Sequence, residues 1–371
     1  MRPHAAPLYN SAYSYRYSPR EVARAMDFTS LLILAAMLAF VPTIIYALMI
    51  WWLDRYEKEP VPLLLVAFVW GALPAIILAL ILEIGLDIPL QQFIPGDAER
   101  DITTASLVAP IVEEAVKAII LVVLFIAYKR EFDNVLDGVI YGAMVGLGFA
   151  FVENVLYFSS AASVDEMIML WVLRAGIFGL NHSMFTAFTG AALGLARSLR
   201  VGWQKGLVPS LGLGVAMIFH GLHNALVSAV GLLSNDESNS GLVLGVCLGA
   251  LVSDYGGVLL ILGVAIGSSV REGRIIRETL LEEVKLGRFT HDEYDILISG
   301  RRRWGARWKT LTSWGFKRWR QTGRFFDLAT ELAFRKHRMH DGDPIHQNIS
   351  ARDIARIRQE IDTLRSVILA A

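Results

Sequence analysis

The chain has one cysteine in 371 residues, Cys247, and it lies inside an apolar run. An intrachain disulfide is therefore excluded, and so are a Cys-type zinc site and thiol-based chemistry. Charge is also scarce: 19% of residues are Asp, Glu, Lys or Arg, against 54% hydrophobic. That balance is too apolar for a soluble protein of this length and points to several membrane spans. There is no His-Glu-x-x-His pair and no Ser/His/Asp spacing. No internal or inverted repeat is visible, which weighs against a transporter built from duplicated halves.

Long apolar runs are what the chain has instead. Leu31 to Leu53 runs 23 residues without a charge, too long for a signal-peptide core and with no convincing cleavage site after it. Further spans are expected at 62–86, 105–128, 135–158, 168–196, 207–233 and 241–267, seven in all, give or take one. Trp51, Trp52 and Tyr56 suit an interfacial aromatic belt. Residues 87–104 read as an outer loop, and the fifth span is long enough to kink near Gly176 and Gly179. Gly138, Gly142 and Gly146, like Gly190/Gly194 and Gly245/Gly249, stand four residues apart, so that helix backbones can approach closely in lipid. The expected fold is all-α: a polytopic membrane helix bundle over 31–267, a disordered lead-in over 1–30, and a basic, helical cytoplasmic tail over 268–371.

Net charge is zero, but unevenly spread. Residues after 270 hold 21 Lys and Arg against 14 Asp and Glu, an excess of seven basic charges. Arg55, Lys58, Lys129, Arg130, Arg197, Arg200 and Lys205 fall in loops on the tail's side, whereas the opposite loops hold only Arg100. This bias places the C-terminus in the cytoplasm. Arg2, Arg16, Arg20 and Arg24 run against it, and a functional start at Met26 would remove all four. In the tail, Arg271 to Gly287 reads as a short amphipathic helix and Thr290-His-Asp-Glu293 as a capping box opening a second. Ser350 to Leu369 reads as a last helix with Ile354, Ile357, Ile361 and Leu364 on one face. Arg301 to Met339 interleaves basic residues with Trp304, Trp308, Trp314, Trp319, Phe325 and Phe326. Beside a membrane domain, such a stretch suits anionic lipid headgroups, and no nucleic-acid partner is expected.

The third expected span carries Glu113, Glu114 and Lys117 well inside an apolar segment. Ionised groups at that depth cost at least a few kcal/mol each and so need partners. Glu113 and Lys117 share a helix face and can neutralise each other, which leaves the second carboxylate unexplained. Three later spans add polar sets at helical spacing: Glu153-Asn154-x-x-Tyr157, Asn181-His182-x-x-x-Thr186, and His220-x-x-His223-Asn224. With alternating helix directions, Glu113, Glu153, His182, His220 and Asn224 fall in one layer in the outer half of the bilayer. Singly, each histidine reads as a hydrogen-bonded core residue; together they read as a site. Carboxylates and imidazoles suit water activation, by a carboxylate alone or with a divalent metal such as Zn2+, and acyl hydrolysis is the natural reaction class. Asn224 and a histidine N–H could stabilise an oxyanion.

These sets, with Trp52-x-Asp54-x-Tyr56-Glu57-x-Glu59-Pro60 and Phe132-Asp-Asn-Val-Leu-Asp137-Gly-Val-Ile-Tyr141-Gly, resemble the motifs of the PrsW-type intramembrane proteases. That family is related to the type II CAAX prenyl endopeptidases and the bacteriocin-processing enzymes. The likeness runs from about residue 31 to 267. It implies cleavage of membrane-associated proteins, anti-sigma factors among them, in a bacterial plasma membrane, and leaves open whether a metal or a glutamate alone activates the water. Carried over, it makes Glu113 the base and Glu114 its support or a metal ligand. His182 becomes a water-activating group or ligand, and His220 and Asn224 ligand or oxyanion partners. Glu114, Glu153, His182 and His220 form the candidate metal set, with Lys117, Asn154, Tyr157 and His223 in support. An ion-coupled transporter and a non-catalytic scaffold are the competing classes.

Overall fold

Gly138, Gly142 and Gly146 line one face of a helix, and that face organises the bundle. The computed structural model describes residues 28–54, 56, 58–234, 236–340 and 351–369. Most of the expected lead-in, with the Met26 start, lies outside the described residues. Among the described residues the structure is all-helical. In chain order the helices are α1 (Phe28–Leu53), α2 (Val61–Phe93), α3 (Asp97–Thr103), α4 (Ala109–Ala127), α5 (Val135–Ser160) and α6 (Val164–Leu170). After them come α7 (Asn181–Ser198), α8 (Gln204–Leu233), α9 (Ser240–Lys285), α10 (His291–Leu297), α11 (Gly300–His340) and α12 (Ala351–Leu369).

Among the described residues, six helical stretches are long and apolar enough to cross a membrane: α1, α2, α5, Val164–Ser198, α8 and α9. The remaining expected span, α4, packs among them and carries the charged triplet. α5 is the central element, with 83% of its apolar window buried against 11–39% in the other five. Asn134 caps its start, accepting from Leu136 N at 2.7 Å and Asp137 N at 3.2 Å, while Asp137 Oδ2 accepts from the Asp133 and Asn134 amides at 2.9 Å. The glycine face then meets α7 backbone to backbone. A Cβ at Gly142 would lie 2.6 Å from the Thr186 carbonyl oxygen, and one at Gly146 would strike the His182 carbonyl. Gly190 and Gly194 oppose Gly138 and Asn134. Gly245 and Gly249 have open space around them, so the same spacing marks no contact in α9.

Ile50, Leu64, Leu121, Tyr141, Leu147, Phe185 and Ala216 make the main core. Outward-facing Leu48, Ile84, Ile218, Val252 and Leu259 are exposed, an arrangement that costs nothing against lipid tails but would be heavily penalised in water. At one end of the bundle the loop after α1 is pinned: Asp54 Oδ2 accepts from Glu59 N at 2.9 Å, and Tyr141 of α5 donates to Glu59 Oε2. Burial, and then the neighbouring Asp137, push the Glu59 carboxyl well above the usual carboxylate range.

Two expectations change, and the expected kink is located. The outer loop at 87–104 is largely helical: α2 runs to Phe93, and α3 continues through a π turn, Thr104–Val108, into α4. The long fifth span is π-helical over Trp171–Ile177 and breaks at Phe178–Leu180, close to the expected kink. Arg271 to Gly287 is not a separate helix but the end of α9, a single helix of 46 residues. Beyond it the tail has its own core, built from Ile276, Leu280, Phe289, Leu297, Phe326, Leu332 and the α12 face of Ile354, Ile357 and Ile361. The capping box at Thr290 and Glu293 is present. Tyr56, in the loop after α1, packs on this core, and Arg303 donates to its carbonyl at 3.3 Å, so the tail abuts the membrane domain.

Candidate active site

The site begins in α4. Glu113 and Glu114 stand four and three residues before Lys117, which puts both carboxylates within reach of one ammonium. Lys117 Nζ donates to Glu113 Oε2 at 3.0 Å and to Glu114 Oε1 at 2.9 Å. Its third partner is His182 Nδ1 at 3.1 Å, across the helix interface on α7. Lys117 and Glu114 are wholly buried, and the lysine ammonium lies over the Phe149 ring, with Nζ 3.7 Å from the centroid.

His220 of α8 joins from the other side, its Nδ1 3.2 Å from Glu114 Oε1 and its Nε2 3.9 Å from Glu113 Oε2. Phe185, one helical turn from His182, stacks on the His220 ring at 4.7 Å between centroids and fixes its plane. Thr186 Oγ1 donates to Glu114 Oε2 at 3.0 Å. Both oxygens of Glu114 are thus engaged. Glu113 is held through Oε2 and lines a cavity of about 790 Å³, a size usual for ligand sites. The two neighbours are therefore unlike: Glu114 is held inside the bundle through both oxygens, and Glu113 lines the cavity.

Behind His182 stands a second layer. Glu153 Oε2 accepts from His182 Nε2 and from Arg174 Nη2, both at 2.7 Å. Arg174 also donates to Asn154 Oδ1 at 3.0 Å and lies 3.7 Å over the Tyr157 ring. A similar unit supports His223, whose Nδ1 is 2.7 Å from Asp254 Oδ2, an atom that also accepts from Asn181 Nδ2 at 3.0 Å. Asn224 donates to the Ala105 carbonyl at 2.8 Å and lies on the cavity wall.

The structure brings Glu113, Glu114, His182 and His220 together, each offering a donor atom within 4.8 Å of the others. Glu153 stands outside that group, because its carboxylate is taken up by Arg174 and His182. Arg174 and Asp254 are partners of the cluster's supporting residues that sequence spacing does not single out. Each is an isolated charge in an apolar run, and that is the signal that could have found them.

A family profile described as PrsW family intramembrane metalloprotease matches residues 59–252. Protease PrsW of Clostridioides difficile (strain 630) is 34% identical over 155 residues, covering 42% of this chain and 62% of that protein. Protease PrsW of Geobacillus kaustophilus is 33% identical over 145 residues, 39% of this chain and 58% of the relative. Protease PrsW of Bacillus subtilis (strain 168) is 27% identical over 180 residues, 48% and 75% respectively. The chain thus spans less than two thirds of the length of the first two of these relatives. No solved structure matches.

Proposed function

Since the chain belongs to the PrsW family of intramembrane metalloproteases, we propose that it is an endopeptidase that hydrolyses peptide bonds of membrane-associated proteins at the Glu113 cluster. The observation that carries this reading is the inequality of the paired glutamates: Glu114 bonded through both oxygens, Glu113 open to the cavity.

In this reading Glu113 takes a proton from a water molecule as its oxygen attacks the scissile carbonyl carbon. The carbonyl π bond breaks, leaving a tetrahedral oxyanion. Lys117 stabilises charge beside that point without leaving its carboxylates, and the second amide N–H of Asn224 is available to the oxyanion from the cavity wall. Glu113 then returns its proton to the leaving nitrogen as the C–N bond breaks, which closes the proton balance. His182 is held from both ring nitrogens, so its ring does not need to reorganise.

The donor set also fits a small divalent ion. Two carboxylates and two imidazoles suit zinc, whose catalytic sites use three protein ligands and one open position. Glu114, His182 through Nδ1, and His220 would hold it, leaving Glu113 as base. Lys117 would then have to give up its bonds to Glu114 and His182. When bound, such an ion supplies Lewis-acid polarisation and a more acidic water.

Anti-sigma factors, with one membrane-bound end, belong to the proposed substrate class. The family's bacterial relatives support a bacterial plasma-membrane location, and the loop charges support an orientation with the tail in the cytoplasm. Purified protein in liposomes with a membrane-anchored test substrate separates the classes of function. Cleavage by wild type, without ion or proton flux, is expected. Flux without cleavage would replace the protease reading by a transporter, and neither activity would leave a scaffold.

A further inference from the structure

Residues 301–326 contain nine Lys and Arg and no Asp or Glu, although the tail as a whole carries 14 acidic residues. The fold turns this stretch into a helical hairpin. Gly315, at φ 79°, breaks α11 in a backbone region that side chains disfavour. The two arms lie antiparallel: Arg303 Nη1 meets Thr330 Oγ1 at 2.8 Å near the base, and the Arg307 guanidinium lies 4.3 Å from the centroid of the Trp319 ring nearer the bend.

The aromatic residues then separate into two groups. Phe289, Phe325 and Phe326 enter the tail's core. Trp304, Trp308, Trp314 and Phe316 stay outside at 55–68% exposure, with Trp304 and Trp308 stacked on one another. Arg301, Lys309, Lys317 and Arg320 are exposed among them. Large aromatic surface left beside exposed cations costs free energy in water but suits the headgroup level of a bilayer, where rings enter and guanidinium and ammonium groups stay with phosphate.

The base of the hairpin is placed for that partner. Arg303 and the tail core contact Tyr56, in the short loop between the two spans α1 and α2, and α9 carries the tail out of the bundle as one uninterrupted helix. The hairpin is thereby held beside the bundle end.

We propose that this hairpin docks on the anionic headgroups of the adjacent leaflet, seating Trp304, Trp308, Trp314 and Phe316 at the interface. The partner is a phospholipid surface of net negative charge, with charge complementarity as the selecting feature.

The test uses the full chain in nanodiscs. A nitroxide is placed at Thr312→Cys, an exposed position near the bend, in a Cys247→Ala background. Its collision rates with lipid-soluble oxygen and a water-soluble nickel chelate report depth. The oxygen-to-nickel ratio should be several-fold higher in discs containing phosphatidylglycerol than in pure phosphatidylcholine. The rise should vanish in high salt and in a Lys309→Glu/Lys317→Glu/Arg320→Glu variant. Equal ratios in the two lipids would overturn the proposal. So would protection that appears only with added RNA or with two copies per disc, which would assign the surface to nucleic acid or to self-association. No arm of this experiment depends on proteolysis.

Discussion

Lys117 Nζ stands 3.1 Å from His182 Nδ1. An ammonium can only donate, so Nδ1 presents its lone pair and the imidazole proton is assigned to Nε2, where Glu153 accepts it at 2.7 Å. One ring nitrogen is thereby tied to the helix of the paired glutamates and the other to the Glu153–Arg174 pair. His182 has no freedom left in tautomer or tilt.

Removing the far partner should therefore weaken activity without touching the reacting groups. Glu153→Ala or Arg174→Ala is expected to lower kcat by about 10- to 100-fold with little change in KM, the usual cost of losing an orienting partner. Glu153→Gln, whose amide oxygen still accepts from Nε2, should retain more activity than Glu153→Ala. Steady-state cleavage kinetics on the three variants decide it, and equal rates for Gln and Ala would remove the orienting role.

Lys117 is the cation for two buried carboxylates, so Lys117→Met leaves both uncompensated. A loss of about 3–5 kcal/mol of stability is expected, the usual cost of breaking a buried pair. Adding Glu113→Gln and Glu114→Gln should restore part of it. Thermal unfolding in detergent measures both; an unchanged midpoint in Lys117→Met would mean that the carboxylates find another counter-charge.

The α5–α7 contact permits no Cβ at Gly146 without displacing the His182 backbone, whereas Gly249 faces open space. Gly146→Ala should cost about 1–3 kcal/mol and depress cleavage, the typical penalty of overpacking. Gly249→Ala should be neutral or slightly stabilising, because alanine is the better helix former. Unfolding midpoints and cleavage rates on both variants check the contrast.

Burial and the neighbouring Asp137 favour the neutral form of Glu59, so the uncharged isostere should be tolerated there. Glu59→Gln is expected to unfold within about 1 kcal/mol of wild type, and Glu59→Ala to lose about 1–3 kcal/mol by leaving Tyr141 without its acceptor. A Gln variant as unstable as the Ala variant would show that the charged form is required.

Much of this arrangement is legible along the chain because its signals are local. Glu113, Glu114 and Lys117 are one helical turn apart, and the glycines of α5 repeat every four residues, so periodicity alone places them. Arg174 and Asp254 escaped because their partners, Glu153 and Asn154 in one case, Asn181 and His223 in the other, lie on other helices, and sequence spacing keeps no trace of contacts between helices. The run of α9 past the apolar stretch escaped for a different reason. Polarity changes near residue 270, but a helix ends where its backbone is capped or broken, and no proline interrupts Ser240–Lys285. The helical course of 87–104 is masked in the sequence by Pro89 and Gly96, residue types usual in turns. Pro89 lies inside α2, and Gly96 is the N-cap of α3.

In the proposed mechanism Glu113 is the base acting on the attacking water, while Glu114 holds the cluster together. The direct measurement is the cleavage rate of Glu113→Gln on a membrane-anchored substrate, with insertion and thermal unfolding followed on the same preparation. The predicted result is a protein that inserts and unfolds as wild type does, with a rate at least about 10²- to 10⁴-fold lower, the contribution of a positioned general base. A Glu113→Gln protein that folds normally and still cleaves at the wild-type rate would contradict it.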